Sequence, residues 1–417
     1  MQATTPDNTH NTTDTAPGAR EALSAEDAQA CLDAVARYAQ EALQPLWARP
    51  ERTVPVAECR QALDGLVALG VLTTGSEPGL GLWDGLDAGG SVVHTRLSLG
   101  YLTQVGRASG ALALQLHTEA LARHLDRVAG VDDPEGRPLV LLQGHQGLGR
   151  EALAAWCSGQ ALSDEHAAML ADNWCAPQAT RPRVLHALPD WTALWCPTWT
   201  VAEGWAWQRW PRQTCQVAAP ERGLGLDELG VQVLHGMPGG PAAHGNATTP
   251  TAQLRGQPAQ DAWWRLQQAH ALGLWAITQA GAQRAAAMAH EQAYLRRQGG
   301  AVIAQHAAVQ QLLSLAQGTA RESAHELHHW AGQALCTAEP GPALRELWRA
   351  RARHQPRLSQ GVSAALQVFG GMGYMQDTGV ERWLRQTHHL RLLGGSPAEL
   401  QACVAWWDTW TELEACA

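Results

Sequence analysis

His325-Glu326-Leu327-His328-His329 has the spacing H-E-x-x-H, which on a helix sets two imidazoles one turn apart, able to hold zinc with the glutamate as base. No third ligand is apparent downstream, the helix falls in the apparent bundle, and histidine is frequent at 18 residues, so a zinc site is discounted. A second stretch carries chemistry of another kind. In Ala365-Leu-Gln-Val-Phe-Gly-Gly-Met-Gly-Tyr374, followed by Thr378-Gly-Val-Glu-Arg-Trp-Leu-Arg385, glycines crowd between two helical runs, where they let backbone approach a ligand closely. G-x-G-x-x-G after a strand, G-x-S-x-G and C-x-x-C zinc pairs are missing, so a Rossmann site, a nucleophile elbow and a zinc ribbon have no support. The chain also has no lysine: all 30 basic residues are arginine. That excludes Schiff-base catalysis and the phosphate-binding lysines of P-loop enzymes and kinases.

The elements that must position these groups follow from length and pattern. At 417 residues the chain is long enough for more than one packing unit, and 45% apolar with 17% charged residues suits a folded globular protein. A formal charge of −9, with no Lys/Arg block, gives no general affinity for nucleic acid or acidic membranes. Nine cysteines form no C-x-x-C pair and are an odd number, as expected of reduced cytosolic thiols. No segment reads as a signal peptide or membrane span, so a soluble, cytoplasmic protein is expected and the sequons at Asn11 and Asn246 are read as chance. The 19 tryptophans against one phenylalanine mean that Trp takes core positions other residues usually fill.

Residues 1–22 read as a disordered tail, after which Ser24 and Asp27 form a capping pair for a helical run. Helical spacing then dominates 23–133, interrupted by the loop SEPGLGLWDGLDAGG. From 134 to 258 the texture is β: Trp191, Ala193, Trp195 and Trp199 alternate with Thr192, Cys196, Thr198 and Thr200, a half-buried strand in which Pro197 demands an edge or a bulge. Long Ala/Leu/Gln/Arg helices fill 259–417. The expected fold is α+β, with an N-terminal helical domain, a small middle β domain and a C-terminal four-helix bundle.

The glycine-rich stretch resembles the acyl-CoA dehydrogenase pattern Q-(I/V)-x-G-G-x-G-(Y/F) followed by P-V-E-R-x-x-R-D-A. Arg296-Arg-Gln-Gly-Gly-Ala-Val-Ile-Ala-Gln-His306-Ala-Ala-Val-Gln310 is similar to that family's R-x-x-F-G-x-x-I-x-x-x-Q-A-V-Q. The resemblance implies FAD, desaturation of an acyl-CoA or acyl-carrier thioester at Cα–Cβ, and an electron-transfer flavoprotein as acceptor. It assigns Arg296 to the FAD diphosphate across a subunit interface. It places His306, Gln367, Val368, Phe369, Gly370 and Gly371 on the same cofactor, and Ser396 where the family has a threonine beside it. A homodimer or homotetramer built through the bundle follows, with Trp263, Trp264, Trp406 and Trp407 as candidate interface aromatics, or an assembly with a paralogous subunit.

The departures fall on the chemistry. Gly299 stands in place of the motif's phenylalanine and Ala307 in place of the glutamine before its A-V-Q. Leu392-Leu-Gly-Gly-Ser-Pro397 puts Gly394 where many members carry the glutamate base, and the earlier helix position that other members use holds His270. An imidazole is a reasonable base near neutrality, although a lone helix histidine is more often structural. The flavin-ring stretches T-E-P-x-x-G-S-D and W-I-T are absent from 134–240. Three readings stay open: a dehydrogenase with an unusual or partner-supplied base, a flavin-dependent monooxygenase-type enzyme, and a catalytically silent subunit.

Overall fold

The computed structural model describes residues 23–48, 53–74, 79–86, 91–142, 149–159, 162–175, 183–223, 225–236, 249–337 and 339–415. The segment read as a disordered tail, both sequons and much of the loop before α8 lie outside them. The first helix, α1 (Ala25–Tyr38), starts at the expected cap, where the Ser24 hydroxyl oxygen accepts from Asp27 N–H at 3.0 Å. A π-turn (Ala39–Leu43) and the short α2 (Gln44–Trp47) follow, then α3 (Val56–Ala68), α4 (Val92–Gly106) and α5 (Gly110–Val128). The N-terminal third is helical, as its periodicity requires.

In the middle segment β1 (Pro138–Val140) is followed by two helices, α6 (Gly149–Cys157) and α7 (Asp164–Cys175), that the β texture does not announce. Next come β2 (Arg183–His186), β3 (Ala193–Thr200), β4 (Gly204–Pro211), β5 (Gln216–Val217), β6 (Glu221–Arg222), β7 (Gly230–Gly236) and β8 (Ala252–Leu254). One sheet has the order β1-β3-β4-β8, with β1 parallel to β3 and the other pairs antiparallel; β7 pairs with β2, β5 and β6 in a second. Strand β3 is buried on both faces rather than half-buried. Trp195 and Trp199 enter the main core while Leu194 and Cys196 join Leu139, Val184, Trp191, Trp210, Cys215 and Leu234 in a smaller one. The β1 pairing ends at Val140 opposite Trp195, so Pro197 lies beyond it, paired on the β4 side to Trp207 without a bulge. A missing N–H is tolerated there.

The bundle begins at α8 (Gly256–Leu295), a 40-residue helix about 60 Å long. The hairpin β9 (Arg297–Gln298) and β10 (Ala301–Val302) leads to α9 (Ala307–Ala331), α10 (Pro340–Val368), α11 (Val380–Leu390) and α12 (Pro397–Ala415). Helices α9 and α10 both pack on α8, and α12 packs on α10 and α6. At that junction Trp156 of α6, Trp205 of β4 and Trp263 of α8 have ring centroids 5.0–5.6 Å apart, and Trp264 reaches Trp407 at 6.2 Å. Trp263 and Trp407 are therefore core residues of this chain, not interface aromatics: both are almost fully enclosed, Trp264 is half-buried and only Trp406 is exposed. Hydrophobic spacing cannot distinguish a helix face that meets its own β domain from one that meets another copy.

Candidate functional site

At the bundle tip, α8 ends as Arg296 turns to extended backbone, and Arg296 Nη1 donates to the Phe369 carbonyl at 3.0 Å. This single bond joins the two motifs separated by seventy residues of sequence. The hairpin is folded back onto it, with Ile303 N–H donating to Arg296 O at 2.9 Å and the exposed His306 ring bonded to Gln298 O at 3.1 Å. Gly299 and Gly300 form its turn. Of the residues expected on a cofactor, Gln367, Gly370 and Gly371 are exposed, whereas the Val368 and Phe369 side chains are buried anchors. Phe369 contributes its carbonyl, not its ring. Arg296 Nε and Nη2 have no partner among the described residues, and Tyr294, Leu295, Met372, Tyr374 and Met375 stand exposed around the turn.

A second cluster lies inside. Gly394 sits at φ +61, and a Cβ built there would stand 3.1 Å from His270 Cδ2, 3.1 Å from Arg351 Nη1 and 3.0 Å from Leu274 Cδ1. The two positions where a base was sought thus converge on one point. Arg351, fully buried, donates to the carbonyls of Gly394, at 2.8 Å, and Leu393; burial lowers its guanidinium to about 9. Its Nε and Nη2 also reach the Gln355 amide oxygen at 2.8 and 3.0 Å when that amide is oriented to satisfy both ends.

His270 does not stand alone. Its Nδ1 lies 3.1 Å from His117 Nε2, the rings stacked with centroids 5.3 Å apart, and His117 Nδ1 accepts from the Trp83 indole N–H at 2.8 Å. The order of donors is forced. An indole nitrogen can only donate, so Nδ1 of His117 is the acceptor, its Nε2 carries the proton, and Nδ1 of His270 receives it. Neutral His270 then keeps its own proton on Nε2, with no lone pair left for a substrate proton. Within this chain of bonds His270 holds an N–H, which argues against the general-base role expected for it. Burial, with the Arg351 charge second, pushes His117 down to about 3, which keeps it neutral.

Three elements hold this arrangement. Gly273 leaves room for the His117 ring, whose Cε1 would lie 2.2 Å from a Cβ at that position. Trp83 adopts φ +65, a strained conformation for an aromatic residue, stabilised by its backbone N–H to Ser98 Oγ at 3.0 Å. Next to it, buried Asp84 accepts from Gly79 and Gly81 N–H at 2.9 Å each and pairs with Arg127 at 3.1 Å. Ser396 is occupied locally: its hydroxyl oxygen accepts from Glu399 N–H at 3.3 Å while Glu399 accepts from Ser396 N–H at 2.8 Å, a capping box that starts α12. Sequence reasoning missed Trp83, His117 and Arg351. The one usable signal was that His117 falls in phase with Ala113 and Leu121 on the apolar stripe of α5, where an imidazole needs a partner. In α9, Glu326 is held by Arg353 at 2.6 Å and His354 at 3.3 Å.

Residues 265–403 match the model of the acyl-CoA dehydrogenase C-terminal domain. Over that segment the chain is similar to the acyl-CoA dehydrogenase family. The likeness of fold extends well beyond the matched domain. Butyryl-CoA dehydrogenase from Megasphaera elsdenii superposes with a TM-score of 0.63 at 13% identity, over 91% of this chain and 97% of that one. Glutaryl-CoA dehydrogenase from Mycobacterium smegmatis gives 0.65 at 15% identity, over 92% and 94%. PigA, in a structure with FAD and proline, gives 0.63 at 14%, over 92% and 97%. No curated protein sequence matches the chain. At these identities the superpositions speak for the α+β acyl-CoA dehydrogenase fold alone. No helix among the described residues is long and apolar enough to cross a membrane.

Proposed function

We propose that the protein is an acyl-CoA dehydrogenase-like flavoprotein that works on an acyl thioester within an oligomer, with electrons passed to an electron-transfer flavoprotein and the α-proton taken by a group outside this chain. The observation that carries it is the Arg296–Phe369 bond. It fixes a guanidinium with two uncommitted donor nitrogens against an exposed glycine turn, a combination suited to diphosphate oxygens. The residues present thus fit the diphosphate end of FAD, with Gln367, Gly370 and Gly371 offering side-chain amide and open backbone beside Arg296. When bound, FAD would supply the acceptor for a hydride leaving Cβ. The chain's own residues hold the cofactor, clamp the 392–395 turn through Arg351, and keep an N–H rather than a base at His270. Gly394 has no carboxylate to offer.

The same absence favours one second reading, a catalytically silent subunit whose Arg296 completes the flavin site of a paralogous partner. The flavin spectrum of the purified chain, followed by anaerobic titration with saturated acyl-CoA, separates the two. A yellow protein that bleaches slowly or not at all by itself is expected. Protein that stays colourless after incubation with excess FAD supports the silent subunit, and fast bleaching would place a working base within this chain and overturn the proposal.

A further inference from the structure

A cavity of about 470 Å³ opens where the π-turn, α4, α8 and α11 meet, with Thr378, whose hydroxyl donates to Met375 O at 3.2 Å, at its edge toward the glycine-rich turn. Its charge is one-sided: three arginines, Arg107, Arg284 and Arg382, line it, and among the described residues no aspartate or glutamate does. Arg382 is neutralised by Glu228 at 3.2 Å. The other two have no carboxylate partner among the described residues. Arg107 is held only by the neutral amide oxygen of Gln283, at 2.6 and 3.1 Å, and Arg284 makes no hydrogen bond or ion pair with any described residue. Burial lowers the Arg107 guanidinium, the signature of a desolvated cation that an anion would relieve.

Two further features point the same way. Helix α11 begins at Gly379, φ +67, with no side chain capping its first turn, and the acid of that turn, Glu381, is held by Arg385 at 2.6 Å. Its N-terminal N–H groups and partial positive charge therefore add to the arginines. Opposite, the π-turn carries Gln40 and Gln44 to the cavity wall. Pro45 has no N–H to continue the α ladder, and Gln44 N–H reaches back five residues to Ala39 O. The apolar part of the wall is made by two indoles, Trp47 and Trp383, with Met288, Pro45, Ala48 and Ala108.

We propose that this cavity binds a phosphate monoester of mononucleotide size, its phosphate on Arg107, Arg284 and the N-terminus of α11, and its flat organic part against the indoles. A doubly charged oxyanion matches two forked, uncompensated guanidiniums better than a single carboxylate does, and the apolar wall has no use for a bare ion. The site is distinct from the Arg296 turn and does not depend on flavin chemistry.

Isothermal titration of the full-length protein with AMP, and separately with inorganic phosphate, tests it. AMP should bind, at least tenfold more tightly than phosphate. Arg284→Ala should weaken AMP at least tenfold, Arg284→Lys should recover part of the loss, and Arg296→Ala should leave it unchanged. Arg284 is half-exposed and unpartnered, so its truncation should leave the melting temperature as it was, which is measured alongside. Binding lost in Arg296→Ala but kept in Arg284→Ala would assign AMP to the flavin turn and overturn the proposal. Equal affinities for AMP and phosphate would overturn the role of the indoles, and absence of AMP binding at millimolar concentration would overturn the site.

Discussion

The chain of bonds from Trp83 through His117 to His270 makes a prediction about acid that can be worked through. His117 is pushed down to about 3 in the folded protein, against an ordinary value of about 6.5 once unfolded. Below about 6.5 the unfolded chain takes up a proton that the folded one refuses, so stability is intact above that pH and is lost as pH falls toward 3. The loss runs at about 1.36 kcal/mol per pH unit, or about 2 kcal/mol between pH 6.5 and 5. His117→Gln removes the titrating ring. At pH 7 it should be less stable than wild type by about 1–3 kcal/mol, because one of its two buried partners loses its hydrogen bond. Its stability should nevertheless fall less on acidification, so that the gap to wild type narrows by about 2 kcal/mol at pH 5. Urea midpoints of both proteins from pH 7 to 5 measure this. His94, His186, His354 and His388 are also lowered by burial, and they cancel in the difference. Parallel curves for the two proteins would show that His117 is protonated when folded, and the donor order that removes the base from His270 would fall with it.

Other outcomes can be checked alongside. Arg296→Ala should lower flavin occupancy about tenfold, the loss of a charge-assisted contact of about 1.5–3 kcal/mol, read from the ratio of visible to protein absorbance. Gly394→Glu should cost about 1–3 kcal/mol for a side chain at φ +61, with Leu274 and His270 in contact, and should not give fast bleaching with acyl-CoA; a rapid gain would show that the 392–395 turn can re-form around a carboxylate. Trp83→Phe removes the indole donor and lets His117 change tautomer. Any slow bleaching should then gain a dependence on an imidazole near neutral pH, seen in its pH profile. The exposed Tyr294, Leu295, Met372, Tyr374 and Met375 beside Arg296 predict a dimer or larger, and light scattering that finds only monomer at micromolar concentration would count against an interface there.

Much of the architecture is legible in local pattern, because helix periodicity and caps are local. The α1 cap at Ser24, the long bundle helices and the pairing of the Arg296 and Gln367 motifs need only short-range spacing and two matched stretches. The middle segment reads less well. Helices α6 and α7 are hidden because alternating tryptophans nearby set a β texture, and β3 is buried on both faces because a second small core, gathered from five strands and their flanking turns, covers its other side. Trp263 and Trp407 look like any apolar helix positions until α6 and β4 are packed against them.

The sequence by itself determined that no lysine chemistry is available, that Gly394 has no carboxylate and that Arg296 accompanies a glycine-rich turn, since each is a property of residue type at one position. What His270 does was decided only by tertiary structure. Its partner His117 and the surrounding Trp83, Arg351 and 392–395 turn lie on separate elements with no common spacing, and the direction of a hydrogen bond between two imidazoles depends on a third group, an indole nitrogen that can only donate. The arginine-lined cavity arises in the same way: Arg107 and Arg284 are unremarkable along the chain, and they meet without an acid among the described residues only where α4, α8 and α11 come together.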